Sequence, residues 1–277
     1  MEQLRTKFRV SISGFLFYHL LPIRRQIVLE NINRVFKETL STKQKKRLAK
    51  SFYSHVASSL KELIFLDWYK KSRLDNMVEI KGEEYLWEAK KQERGCFLLM
   101  SHLGNWELSF YIAYPQLKPL RGCSNVIRRR MSIRWIERFI FAFAERYDVN
   151  RIDKSGAPTK MVKALKNKEF ILFALDQHAE LKNKEGIAVN FFGTQAGTYR
   201  SLAFFANKYQ VPVVPVSCYR QPSGKHVLEF HPALSWEPHP DEEQAIYNNT
   251  LRYNQKLEQL ILEHPEQWWW VHRRWKL

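Results

Sequence analysis

The apolar positions of this chain change period once. Up to about residue 66 they recur at helical spacing and predict helices over 23–38 and 42–66; in the second, Leu48, Phe52, Val56 and Leu63 stand four or seven apart behind Ser41, a suitable cap. After the charged stretch 70–75, short apolar runs alternate with helical segments. Strands are predicted at 78–80, 96–101, 120–124, 170–176, 213–219 and 226–230, and helices at 83–91, 105–114, 133–146, 158–166, 199–209 and 241–263. Such alternation implies an α/β fold with a mostly parallel central sheet flanked by helices. The chain divides into an N-terminal helical segment, 1–75, and an α/β domain, 76–277.

The most apolar early run, "FRVSISGFLFYHLLPI" (8–23), is shorter than the roughly 20 apolar residues that a membrane span needs, and it carries Arg9 and His19. Flanked by Arg5, Lys7, Arg24 and Arg25, it is expected to lie in a membrane interface as a membrane-facing helix, anchoring or interfacial. Lys and Arg number 45 against 28 acids, a net charge of +17, which implies an anionic partner: nucleic acid, a phospholipid surface, a phosphorylated substrate or an acidic carrier protein. Three widely spaced cysteines (Cys96, Cys123 and Cys218) form neither a disulfide framework nor a metal-ligand pattern.

The candidate chemistry sits in "MSHLGNWE". The run "CFLLMS" ends at His102, Gly104-Asn105 turns the chain, and Trp106-Glu107 opens the next helix. On a single helix, five residues would set His102 and Glu107 roughly 140° apart and out of reach. Across a strand-to-helix turn, Glu107 lies in the first helical turn, where a carboxylate is favoured, and can reach back to one ring nitrogen of His102. The other nitrogen is then free to take a proton from a hydroxyl. Neither Ser101 nor Ser109 sits in a G-x-S-x-G elbow, and there is no H-E-x-x-H zinc motif. These residues point to attack by a substrate hydroxyl, with no metal and no cofactor.

"HLGNWE" resembles the His-x4-Asp/Glu block of glycerolipid-type acyltransferases, in the form of the bacterial lipid A late acyltransferases. "ILFALDQH", "VNFFGTQAGT", "VPVVPVSCYR", "PEQWWWVHRRWKL" and the N-terminal "LPIRRQIVLENINRVF" resemble further blocks of that family in order and spacing. The resemblance implies O-acyl transfer from an acyl-carrier-protein (or acyl-CoA) thioester to a hydroxyl of a lipid A precursor. It makes His102 the general base and Glu107 its partner. It carries substrate binding or positioning to Asn105, Arg146, Asp176, Gln177, Gly193, Arg273 and Arg274, with the two C-terminal arginines at the mouth of the site. The implied partners are an acyl carrier protein, an anionic glycolipid or phospholipid acceptor and a membrane surface, with no nucleic acid. The implied location is the cytoplasmic face of the bacterial inner membrane, peripheral or monotopic. His178 and Arg200 depart from the family pattern. A lysophospholipid, aminolipid or other glycolipid acceptor is the nearest alternative. A basic nucleic-acid-binding protein is the remote one; no helix-turn-helix, zinc-finger or RNA-recognition signature supports it, and it leaves the His102–Glu107 block without a purpose.

Overall fold

The computed structural model describes residues 8–21, 23–65, 74, 76–128, 149–153, 156–182 and 185–276. The N-terminal part supplies α1 (Ile12–Leu20), α2 (Arg25–Phe36) and α3 (Thr42–Ile64). Ser41 caps α3 as expected: its hydroxyl accepts from Gln44 N–H and the Gln44 side chain accepts from Ser41 N–H, the reciprocal arrangement that satisfies two orphan donors. α1 lies close against α3, where Gly14 has no side chain to collide with Ser54; a Cβ there would come within 1.9 Å of the serine oxygen.

The rest builds a seven-stranded sheet from β1 (Val78–Lys81), β2 (Cys96–Met100), β3 (Ser124–Arg128), β4 (Val149–Asp153), β5 (Phe170–Ala174), β8 (Val213–Arg220) and β9 (His226–Phe230). Strands β6 (Gly186–Phe191) and β7 (Thr194–Tyr199) form a separate hairpin. The helices between and after are α4 (Glu83–Lys91), α5 (Trp106–Ala113), α6 (Ala157–Lys166), α7 (Ser201–Tyr209) and α8 (Glu242–Glu263). The sheet order is β1-β9-β8-β2-β5-β3-β4, and every pairing is parallel except β8 with β9. The mostly parallel α/β expectation therefore holds.

Alternation along β2 and β5 splits the interior in two. Phe97, Leu99, Ile171 and Phe173 face one core, shared with residues of α2, α3, α6, α7 and α8; Cys96, Leu98, Met100, Phe170 and Leu172 face the other, shared with α4 and α5. Both faces are covered, which is why these strands read as continuous apolar runs.

Some boundaries differ from expectation, and strands β4, β6 and β7 were not predicted. Residues 118–120 form a 3-10 turn started by Pro119, with Leu120 buried, and the strand predicted at 120–124 begins only at Ser124. Tyr199 pairs with Gly186 in the hairpin, so α7 starts at Ser201 and not at 199. Strand β4 has no apolar signature because it is an edge strand with only Ile152 buried. The helix predicted at 133–146 lies outside the described residues. Among those described, no helix is long and apolar enough to cross a membrane. α1 instead exposes Ile12, Phe15, Leu16 and Leu20 on its outer side.

The turn after β2 depends on Gly104. It holds φ +65°, and a Cβ on it would lie 2.5 Å from the Cys218 carbonyl oxygen of β8. Gly104→Ala is expected to cost about 1–3 kcal/mol of stability through backbone strain, before any relief of the clash. Chemical denaturation measures this; an unchanged midpoint would show that the turn accommodates a side chain.

Candidate active site

β2 and β5 are neighbours in a fixed register, Cys96 opposite Phe170 through Met100 opposite Ala174. Continued two residues past the strand ends, that register sets His102 opposite Asp176. Both then stand at the carboxyl edge of the sheet, where open α/β folds place their ligand sites. The contact is direct. His102 Nδ1 lies 2.7 Å from Asp176 Oδ1, and the His102 backbone N–H donates to Asp176 Oδ2 at 2.9 Å. The Trp268 indole N–H donates to the same Oδ2 at 2.8 Å.

Asp176 is fully buried. Burial alone would raise its pKa, but the His102 charge and hydrogen bond, with help from His272 and Trp268, outweigh that and hold it well below the ordinary carboxylate range. An ionised carboxylate only accepts, so Nδ1 of His102 bears the hydrogen, and in the base form of the ring Nε2 presents a lone pair. The His102 side chain keeps 18% of its surface open, enough for a substrate atom to reach it. Its ring is flanked edge-on by Trp106 and by His272.

The C-terminal segment pins the turn from outside. Gly104 N–H donates to the Gln267 carbonyl, Trp269 N–H donates to the His102 carbonyl, and Leu103 bridges to Trp268. Asn31 of α2 in turn donates to the carbonyls of Trp270 and His272. The tryptophan run is therefore a wall of the site: Trp268 holds Asp176, and Trp269 stacks edge-on against Trp106.

The other residues named from the sequence fall as follows. Glu107 stands in the first turn of α5, as expected; the carboxylate on His102 Nδ1 is that of Asp176. Gln177 directs its carboxamide nitrogen to His102 Nε2 at 2.9 Å. Asn105 is buried, and its amide donates to Glu62 of α3, tying the turn to the N-terminal helices. Gly193 occupies the tip of the β6–β7 hairpin with φ +70°, after Phe192 at +51°. Arg273 is exposed. Arg274, expected at the mouth, is instead fully buried; its guanidinium donates to the Gly197 carbonyl and the Thr198 hydroxyl and lies over the Phe191 ring. A planar cation can be carried inward where backbone and hydroxyl acceptors meet it, and that placement was not visible in the sequence. Arg146 lies outside the described residues.

Two features of the site carry no signal in the sequence. One is His272, beside His102. The other is the buried group around Glu62, which accepts from Asn105 and Arg220 and pairs with His226 at 3.3 Å. Burial raises the Glu62 pKa, but these partners bring it down to about 2. His55 joins the same group through Arg220. Among the described residues, no group of His, Cys, Asp and Glu could hold a metal ion. Burial pushes the thiols of Cys96, Cys218 and Cys123 upward, so none is a ready thiolate.

A parallel α/β sheet with a carboxylate-oriented histidine at its carboxyl edge is a scaffold for proton abstraction from a hydroxyl, as in acyl transfer. The family model of bacterial lipid A biosynthesis acyltransferases matches residues 5–277. The chain belongs to that family and is an O-acyltransferase of lipid A biosynthesis. It is 27% identical over 271 residues to the lipid A biosynthesis lauroyltransferase of Escherichia coli strain K12, covering 95% of this chain and 82% of that one. It is 26% identical over 263 residues to the lipid A biosynthesis palmitoleoyltransferase of the same organism, covering 92% and 80%. The solved structure of the 1-acyl-sn-glycerophosphate acyltransferase PlsC from Thermotoga maritima covers 89% of this chain and 96% of its own, at 16% identity and a TM-score of 0.37, too loose to carry an argument.

Two histidines, His55 buried and His272 half-buried, are made less basic by the fold. Burial, then Arg220, lowers His55 to about 3; burial, with His102 and Arg24, lowers His272 to about 4 against the pull of Asp176. In the unfolded chain both titrate near 6.5, so between about 4 and 6.5 the unfolded state binds protons that the folded state refuses. Their contribution is fully present above that range and is lost as pH falls through it. Urea midpoints from pH 7 to 4.5 should decline, and less steeply in His55→Gln; identical slopes would show that His55 is not a source of the loss.

Proposed function

We propose that the chain moves a fatty acyl group from an acyl-carrier-protein thioester to a hydroxyl of a lipid A precursor by direct attack. The observation that carries this is His102 held by Asp176 through Nδ1, with Nε2 presented as an acceptor at the sheet edge. The hydroxyl gives its proton to Nε2 as its oxygen bonds to the thioester carbonyl carbon. Collapse of the tetrahedral species breaks the carbon–sulfur bond, and the proton passes from the imidazolium to the departing thiolate. A thioester is already activated, so the protein need supply only a base and stabilisation of developing charge. Glu107, from the first turn of α5, is assigned as a second acid supporting the imidazolium.

The +17 charge suits an acidic carrier and the phosphates of an anionic acceptor alike. Arg273, exposed next to His272, is the C-terminal arginine able to grip such a phosphate through its fork of donors. The exposed apolar side of α1, next to Arg9, Arg24 and Arg25, fits peripheral docking on the cytoplasmic face of the inner membrane.

The test is acyl transfer from an acyl-carrier-protein thioester to a phosphorylated lipid A precursor. His102→Ala should lower kcat by roughly 10² to 10⁴ in a protein that still folds, with a lower melting temperature because Asp176 loses one of its donors. Glu107→Gln should also be impaired, and a fully active Glu107→Gln would reduce Glu107 to a helix-opening residue. A folded His102→Ala that turns over normally would overturn the reading.

A further inference from the structure

The Gln177 carboxamide nitrogen lies between two imidazoles, 2.9 Å from Nε2 of His102 and 3.1 Å from Nε2 of His272. Its orientation follows from hydrogen-bond chemistry. Because Asp176 takes the Nδ1 hydrogen of His102, Nε2 of the ring in its base form can only accept, and the group facing it must then donate. The amide NH2 does so. Its second hydrogen is then aimed at His272 Nε2, which must also be a lone pair, so His272 is neutral with its hydrogen on Nδ1.

A proton on His272 Nε2 would set two donors against each other. The carboxamide would have to turn over and present Oε1 to His102, where an oxygen favours a protonated ring over a free base. The state of His272 thus decides which face of Gln177 meets His102. Two contacts hold His272 in place. Asn31 donates to its carbonyl at 2.8 Å, and its ring packs against Trp269. The charged and titratable groups facing it are Asp176 from the end of β5, His102 from the end of β2 and Arg24 from the start of α2. His102 is met by Asp176 and His272, and Glu107 stands in the first turn of α5.

We propose that His272 is a positioning residue for acyl transfer. As a neutral acceptor it fixes the Gln177 carboxamide with its NH2 toward His102, keeping the base nitrogen unprotonated until a substrate hydroxyl takes the amide's place. When the hydroxyl arrives, the carboxamide gives up its bond to His102 but keeps the one to His272, so the displaced donor stays beside the reacting carbonyl. This role rests on the reading of His102 as general base.

The test has two arms. Nitrogen NMR of histidine-labelled enzyme, without substrate, should show His272 Nε2 unprotonated and Nδ1 protonated at neutral pH. The second arm compares His272→Leu, which removes the acceptor, with His272→Gln, whose carbonyl can replace it. The Leu variant should lose about tenfold in kcat, in line with misplacement of a reacting group, with acceptor KM unchanged. The acidic limb of its pH–rate profile should move to higher pH, because the freed carboxamide can now turn Oε1 toward His102. The Gln variant should stay within about threefold of the parent by the same reasoning. A hydrogen on His272 Nε2 at neutral pH overturns the proposal. So does a folded Leu variant with unaltered kcat and pH profile. The NMR arm needs no turnover, so failure of the acyl-transfer reading would leave its result standing.

Discussion

A carboxylate with no access to water must be satisfied by the protein, and here that carboxylate is Asp176. It accepts from the His102 ring, the His102 backbone and the Trp268 indole, which belong to the end of β2 and to the C-terminal segment. Leaving any of these donors out would strand a buried charge, so strand register, turn and C-terminus are bound to one arrangement. Asp176 sits opposite His102 because β5 runs beside β2 in register. Gly104 is required because the turn leaving His102 packs its backbone against the Cys218 carbonyl. The tryptophan run is immobilised because it closes this network from outside.

The same constraint separates two kinds of polar burial around the site. Asp176, Gln177 and His272 surround His102 and bear on its chemistry. Glu62, Arg220, His226 and His55 lie behind the turn, where Asn105 joins them, and lock α3 to β8 and β9. Asn105 thereby serves the site through its anchorage, holding the turn between His102 and Glu107. Arg274 is a third case, a cation carried inward to support the hairpin through Gly197 and Thr198, while its neighbour Arg273 stays exposed.

Much of this was legible in the sequence where periodicity and chemistry coincide. The buried runs of β2, β5 and β8 announce themselves because both faces of the sheet are covered, and His102 at a strand end follows from where "CFLLMS" stops. Glu107 in the first turn of α5 follows from the Gly-Asn turn before it. What could not be read is what depends on strand order: nothing local says that β5 and not β3 lies next to β2, so the grip of Asp176 on His102 stays hidden in one dimension. His272 is hidden for the same reason, since its partner lies 95 residues away. Strand β4 escapes notice because an edge strand buries too few side chains to leave a period, and the β6–β7 hairpin because its buried positions include Gly186, Gly197 and Thr198, which do not read as an apolar run.

The mechanism proposed for this site requires Asp176 to keep the His102 ring in one tautomer and one orientation. Asp176→Asn retains the size of the side chain but not the charge, and its amide can no longer accept from ring, backbone and indole together. The direct measurement is kcat for acyl transfer by that variant, with its melting curve recorded in parallel. The expected result is a folded protein whose kcat falls by roughly 10² to 10⁴, the range that follows loss of the base. A folded Asp176→Asn enzyme with near-parental kcat would contradict the role given to Asp176.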